Sequence, residues 1–195
     1  MFLSNEDNYL LVGSPKANYI ERKRNQKREK SKQKDMKKVQ LQTAVTVCAY
    51  EELEAQLAQL VDAAKRKTQD SYSPYSGFSV GAAALLANGD VVTGANQENA
   101  AYPSGLCAER VALFAANANQ PKQAVVALAI AAYTKGHYTT KAVSPCGACR
   151  QVMLETEHRY GEKMTVVLYG EEECYVFESA SDLLPLNFVA ESLEG

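Results

Sequence analysis

From about residue 40 onward, apolar positions alternate between helical and strand spacing. Leu53, Leu57, Leu60, Val61 and Ala64 share one helical face and predict a helix over about Glu51 to Thr68. Lys65, Arg66 and Lys67 close that run, where cations complement the helix dipole. Ser71 to Gly77 is rich in turn formers. Phe78 to Ala87 reads as a strand, Asn88-Gly89-Asp90 as a hairpin turn, and Val91 to Gly94 as the returning strand. Asn96 to Gly105 is polar and loop-like, and Cys107 to Ala116 predicts a second helix. Val125 to Tyr133 is continuously apolar, as a strand covered on both faces should be. Val143 to Cys149 is a loop turning into a helix that runs to about His158. Met164 to Tyr169 and Tyr175 to Phe177 predict two more strands, and Ser181 to Leu184 one helical turn stopped by Pro185. There is no internal repeat. This order predicts an α/β fold, a mixed sheet with helices on both faces and right-handed crossovers between parallel strands.

The first forty residues break the pattern. Residues 16–38 hold eleven Lys/Arg against three Asp/Glu, a net of +8, whereas residues 39–195 hold ten against eighteen, a net of −8. Glu21 to Lys38 has almost no apolar side chains and cannot bury enough surface to offset the cost of ordering. The division expected is a basic, disordered tail over 1–40 and a folded domain over 41–195. The tail reads as a solvated extension, a basic arm for nucleic acid or acidic membrane, or a mis-assigned start, with Met36 as the alternative first residue. The apolar run Tyr9 to Val12 is too short for a secretory signal, and no segment approaches the ~20 apolar residues of a membrane span.

Five cysteines without a secretory signal point to a reducing cytoplasm, where cysteine clusters read as metal sites before disulfides. Cys107 opens one predicted helix. Cys146 opens another, and Cys149, three residues on, shares the same side of its first turn. Thiolates are stabilised at helix N-termini and favour Zn²⁺, and three protein ligands leave a fourth position open. Glu109, two residues past Cys107, is not needed as a ligand and stands beside the metal as a general base and acid. Three thiolates on one dication leave a net negative charge, for which Arg110 and Arg150 are the compensating cations. Cys48 and Cys174 lack a partner spacing and read as core residues. His137 and His158 read as surface residues.

Four separated motifs carry a resemblance. Phe78-Ser79-Val80-Gly81-Ala82-Ala83, Asn96-Gln97-Glu98-Asn99-Ala100, Tyr102 to Arg110 (Tyr-Pro-Ser-Gly-Leu-Cys-Ala-Glu-Arg) and Ser144 to Gln151 (Ser-Pro-Cys-Gly-Ala-Cys-Arg-Gln) resemble the homotetrameric, three-cysteine zinc cytidine deaminases. The resemblance spans about residues 40 to 190. It implies a three-layer α/β/α sandwich on a mixed five-stranded sheet and one Zn²⁺ per chain on Cys107, Cys146 and Cys149. It also implies hydrolytic deamination of cytidine and 2′-deoxycytidine in pyrimidine salvage, with Glu109 moving the protons. Asn96 and Glu98 would hold the ribose hydroxyls. Phe78 would contact the base, and the Ala108 backbone and the Ser144 carbonyl region would read its edge. Phe188 would reach a neighbouring subunit's site in a homotetramer, and Tyr102 would act at an interface. The acidic run Glu171 to Glu173 departs from the family pattern.

Two rivals remain. One is deamination of a different aminopyrimidine. The acidic domain lacks the basic path that a polynucleotide substrate needs, so a nucleic-acid partner is not expected there. The other is a zinc-stabilised nucleic-acid-binding module using residues 16–38.

Overall fold

The computed structural model describes residues 15–34 and 36–193. These fall into two units that divide after Leu41. The first contains helix α1, Pro15–Lys34. Its backbone is helical. Its described side chains are all exposed, as the lack of an apolar stripe requires. The apolar run Tyr9 to Val12 lies outside the described residues. Among the described residues no helix is long and apolar enough to cross a membrane.

The second unit is built on one mixed sheet. Its strands are β1 (Thr46–Cys48), β2 (Ser79–Leu86), β3 (Val91–Ala95), β4 (Val125–Thr134), β5 (His137–Tyr138), β6 (Thr165–Leu168) and β7 (Cys174–Phe177). The order is β1-β7-β6-β4-β2-β3, with β5 paired to β4. β4 and β6 are parallel, and the other pairs are antiparallel. Five of these strands match those expected from the sequence. The sheet has seven because β1 and β5, of three and two residues, are too short to show a period.

Three helices cover the sheet: α2 (Ala55–Lys67), α3 (Ala108–Asn119) and α4 (Gly147–Tyr160). Helix α2 starts four residues later than its apolar spacing suggests. Tyr50–Glu52 is instead a separate 3-10 turn, held by the Ala49 N–H donating to the Glu52 carboxylate at 2.8 Å, and Leu53 is extended. Leu60, Val61 and Ala64 of α2 pack with Ala83, Ala129 and Val167 on one face. Ala112 and Leu113 of α3 and Met153 of α4 pack with Ala82, Leu128 and Leu168 on the other. Burying a leucine such as Leu113 stabilises by about 1.5–3 kcal/mol. Alternate residues of β4 enter both clusters, which explains its unbroken apolar run.

Two close approaches set the helix positions. A Cβ on Gly94 of β3 would lie 2.5 Å from Ala112 N and 2.6 Å from Ala108 O, so α3 rests directly on that strand. A Cβ on Gly81 of β2 would overlap the Ala64 carbonyl of α2 and lie 2.8 Å from Thr68 N. On the α2 face the Lys65 ammonium stands 4.4 Å from the Tyr169 ring centroid and 5.0 Å from that of Tyr138, a cation–π arrangement. Cys48 and Cys174, unpaired by sequence spacing, are register partners across β1 and β7 and remain free thiols.

Candidate functional site

Helices α3 and α4 both begin at the same edge of their layer, and each begins at a cysteine. Cys107 is the N-cap of α3 (φ −70°, ψ 153°) and Cys146 the N-cap of α4 (φ −67°, ψ 163°). Neither side chain makes a capping hydrogen bond, so both sulfurs are free to turn towards each other. Cys149 follows in the first turn of α4 and is fully buried. Cys107 Sγ lies 3.8 Å from Cys146 Sγ, and Cys146 Sγ lies 3.4 Å from Cys149 Sγ. All three sulfurs are within 4.8 Å of one another.

The spacing fits one zinc ion. Sulfurs about 2.3 Å from a tetrahedral zinc stand about 3.8 Å apart. Three ligand sulfurs, with no fourth acidic or imidazole group in the cluster among the described residues, match a site that keeps one position open. Cys107, Cys146 and Cys149 would hold the ion, and Cys146, the most exposed of the three, marks the solvent side.

Charge is arranged around these thiols. The Cys107 thiol is drawn down to about 5, first by its bond with Cys149 and further by the Arg110 guanidinium and Cys146. Cys149 is pushed up, because it donates to Cys107, is buried, and faces the Glu109 carboxylate. Arg110 Nη2 donates to Cys107 Sγ at 3.8 Å. Arg110 is therefore the cation beside the cluster. Arg150 is not: its guanidinium donates to the backbone carbonyls of Pro145 at 2.9 Å and Leu183 at 2.8 Å. Glu109, in the first turn of α3, is only 4% exposed. Burial raises its carboxyl above the usual range, and the Cys107 charge raises it further.

A cleft of about 480 Å³ opens from Cys107 and Arg110 to Asn96 and Glu98, walled by Tyr75 and Tyr102. The two rings meet edge to face, 6.2 Å between centroids. Asn96 follows the end of β3, and its amide is oriented by the backbone. Oδ1 accepts from the Val80 N–H at 2.7 Å and from the Ser71 hydroxyl, while Nδ2 donates to the Phe78 carbonyl at 2.9 Å. One Nδ2 hydrogen is left for a ligand. The Tyr75 and Ser76 N–H groups donate to Glu98 Oε2 at 2.9 and 3.2 Å. The Ser76 hydroxyl and these N–H groups hold the Glu98 carboxyl below the usual range and leave Oε1 open.

Other residues singled out in the sequence lie around this cleft without lining it. Phe78 is half-buried, and its side chain is not in the wall. Ala108 is fully buried beneath Cys107. Ser144 is exposed, two residues before Cys146. Phe188 is 58% exposed, and its carbonyl accepts from Gln151 Nε2 at 2.8 Å. Tyr75 and Ser76 are the additions the structure makes to the site. In the sequence they sit in a segment whose only signal is turn propensity.

A family model described as the cytidine and deoxycytidylate deaminase zinc-binding region matches residues 54–162. A cytidine deaminase from Halalkalibacterium halodurans is 43% identical over 135 residues, covering 69% of this chain and 95% of that protein. The crystal structure of a cytidine deaminase from Burkholderia pseudomallei aligns with a TM-score of 0.58 at 42% identity, covering 67% of this chain and 97% of that one. The Mycobacterium tuberculosis cytidine deaminase aligns with a TM-score of 0.55 at 32% identity, covering 70% and 99%.

Proposed function

The chain belongs to the cytidine and deoxycytidylate deaminase family, and from that premise we propose that it hydrolyses cytidine and 2′-deoxycytidine to the corresponding uridines and ammonia. The observation that carries this reading is a three-thiol cluster with the buried Glu109 two residues past Cys107, and a cleft that runs from Cys107 to Asn96 and Glu98.

When bound, zinc supplies the Lewis acidity that lets water lose a proton near neutral pH. The chain's own residues do the rest. The Glu109 carboxylate takes a proton from the attacking water and delivers it to the ring nitrogen next to C4. A second proton passes through the same carboxyl to the exocyclic amine, which leaves as ammonia. Burial raises the Glu109 carboxyl above its usual range, the direction that favours the acid form needed in the second half of the relay. Arg110 offsets the excess negative charge of the three sulfurs.

At the sugar end, Asn96 donates its free Nδ2 hydrogen to a ribose oxygen, and Glu98 accepts a ribose hydroxyl through Oε1. A half-buried pair oriented by the backbone for these hydroxyls discriminates against nucleosides lacking them, because its polar groups would be left unmatched. Phe78 packs on the base side, and the Ala108 N–H and Ser144 carbonyl meet the base edge. Phe188 is exposed and outside the cleft of its own chain, which favours the reading that its ring completes a neighbouring subunit's site in a homotetramer. The reaction places the enzyme in pyrimidine salvage, and its free thiols suit the cytoplasm.

The test is the fall in ultraviolet absorbance when the purified protein meets cytidine, with zinc quantified on the same sample. Uridine formation with about one zinc per chain is expected. Zinc-loaded protein inert on both nucleosides would overturn the substrate assignment and favour another aminopyrimidine.

A further inference from the structure

We propose that Arg150 is a positioning residue that holds the Cys146 ligand in place by gripping the backbone on both sides of it. The proposal rests on the zinc reading above.

Cys146 is the exposed ligand. Cys149 is fixed by burial, but packing does not fix Cys146. Its backbone is held instead. The Arg150 N–H donates to the Cys146 carbonyl at 3.0 Å, closing the first turn of α4. The Arg150 side chain folds back, and its Nε–H donates to the Pro145 carbonyl at 2.9 Å. That carbonyl belongs to the peptide plane that carries the Cys146 nitrogen, so one residue pins the peptides before and after the ligand. Pro145 is buried and has no N–H of its own, so its carbonyl has to supply the anchor.

The other arm of the fork anchors the clamp. Arg150 Nη1 donates to the Leu183 carbonyl at 2.8 Å, at the end of the 3-10 turn Ala180–Leu183. Guanidinium geometry allows two donors of one rigid plane to meet two carbonyls at once. A lysine carries the same charge on a single flexible point and cannot reproduce both bonds. The role therefore depends on the shape of the fork and not on its charge, unlike that of Arg110, which meets a sulfur directly. Groups that orient metal ligands typically change metal affinity or activity by about 10–100-fold.

The experiment compares zinc-loaded wild type with R150K, R150Q and Q151A. Zinc release to excess chromophoric chelator, thermal melting and cytidine kinetics are measured on each. Gln151 is the control, because it neighbours Arg150 on α4 but its side chain donates to the Phe188 carbonyl and not to the Cys146 peptides. R150K and R150Q should release zinc about tenfold faster or more, and to a similar degree. Their kcat should fall while KM holds within about twofold, and Q151A should release zinc at the wild-type rate. Wild-type release by R150K would overturn the proposal, since charge alone would then suffice. Equal acceleration in Q151A would overturn it too, by showing general loosening of the turn. If R150K gives no cooperative melt, R150Q carries the test, and wild-type release by it is equally fatal. A wild type that binds no zinc would remove the zinc reading and this proposal together.

Discussion

The two faces of the sheet are built alike and used differently. On each, a helix lies so close to a strand that only glycine fits beneath it: Gly81 under α2 and Gly94 under α3. On the α2 face the conspicuous cation, Lys65, stands over tyrosine rings. Its ammonium also donates to the Tyr169 hydroxyl at 3.3 Å, and it serves packing. On the α3 face the conspicuous cation, Arg110, meets a thiol that its charge helps to draw down to about 5. The difference lies at the helix ends. Helices α3 and α4 start side by side at cysteines, whereas α2 starts at Ala55 after a 3-10 turn with no ligand near it. Close packing fixes both faces, and chemistry appears where two helix N-termini converge.

The sharpest break of this comparison is Glu109→Gln. It keeps the shape of a buried side chain and removes the proton relay. Turnover should fall by about 10²–10⁴-fold with zinc content unchanged, read by ultraviolet kinetics and metal analysis on one sample. Near-wild-type turnover would remove Glu109 from the mechanism. Next comes Gly94→Ala, whose new methyl group would push against the α3 backbone that carries Glu109 and follows Cys107. Overpacking of this kind costs about 1–3 kcal/mol or more, so the melting temperature should drop by roughly 5 °C and kcat should fall with it.

Gly81→Ala is the matching change on the other face. A comparable loss of about 1–3 kcal/mol is expected, with kcat per folded molecule unchanged. If Gly81→Ala lowered kcat as much as Gly94→Ala, the faces would not be functionally separate. The smallest effect concerns Glu98. Its carboxyl lies below the usual range, so it stays ionised as pH falls through the ordinary value of about 4.3. KM for cytidine should hold through that range and rise only below it. Ser76→Ala removes one of the donors to the carboxylate, and the acid rise in KM should move to higher pH. An unmoved profile would detach Ser76 from this role.

Most of the layer structure was legible because it follows from periodicity. The unbroken run of β4 is a strand covered twice, and Gly89, at φ +91°, makes the expected hairpin turn. The three-cysteine cluster was legible because the Cys146–Cys149 spacing is local and Cys107 opens a second helix. What stayed hidden depends on long-range register. No spacing rule sets Cys48 opposite Cys174, 126 positions on, and the two-residue strand β5 leaves no period to read. Arg150 shows a different limit. Its place beside Cys149 suggested charge compensation, but the rotamer sends the guanidinium to carbonyls. Tyr75 acts on Glu98 through its backbone N–H, and Ser76 partly so; every residue but proline possesses this group, and sequence therefore cannot single it out.

The pairing of β1 with β7 joins the first strand of the sheet to the last. During synthesis Thr46–Cys48 leaves the ribosome long before its partner exists. At about 5–20 residues per second the wait for Cys174 to Phe177 is on the order of ten seconds. Over that interval the edge of β7 is missing, the half-buried Cys48 thiol has no neighbour to cover it, and the zinc loop lacks the Leu183 carbonyl that Arg150 will grip. The sheet and the metal loop are thus completed only once the segment from Cys174 to Leu183 has been made.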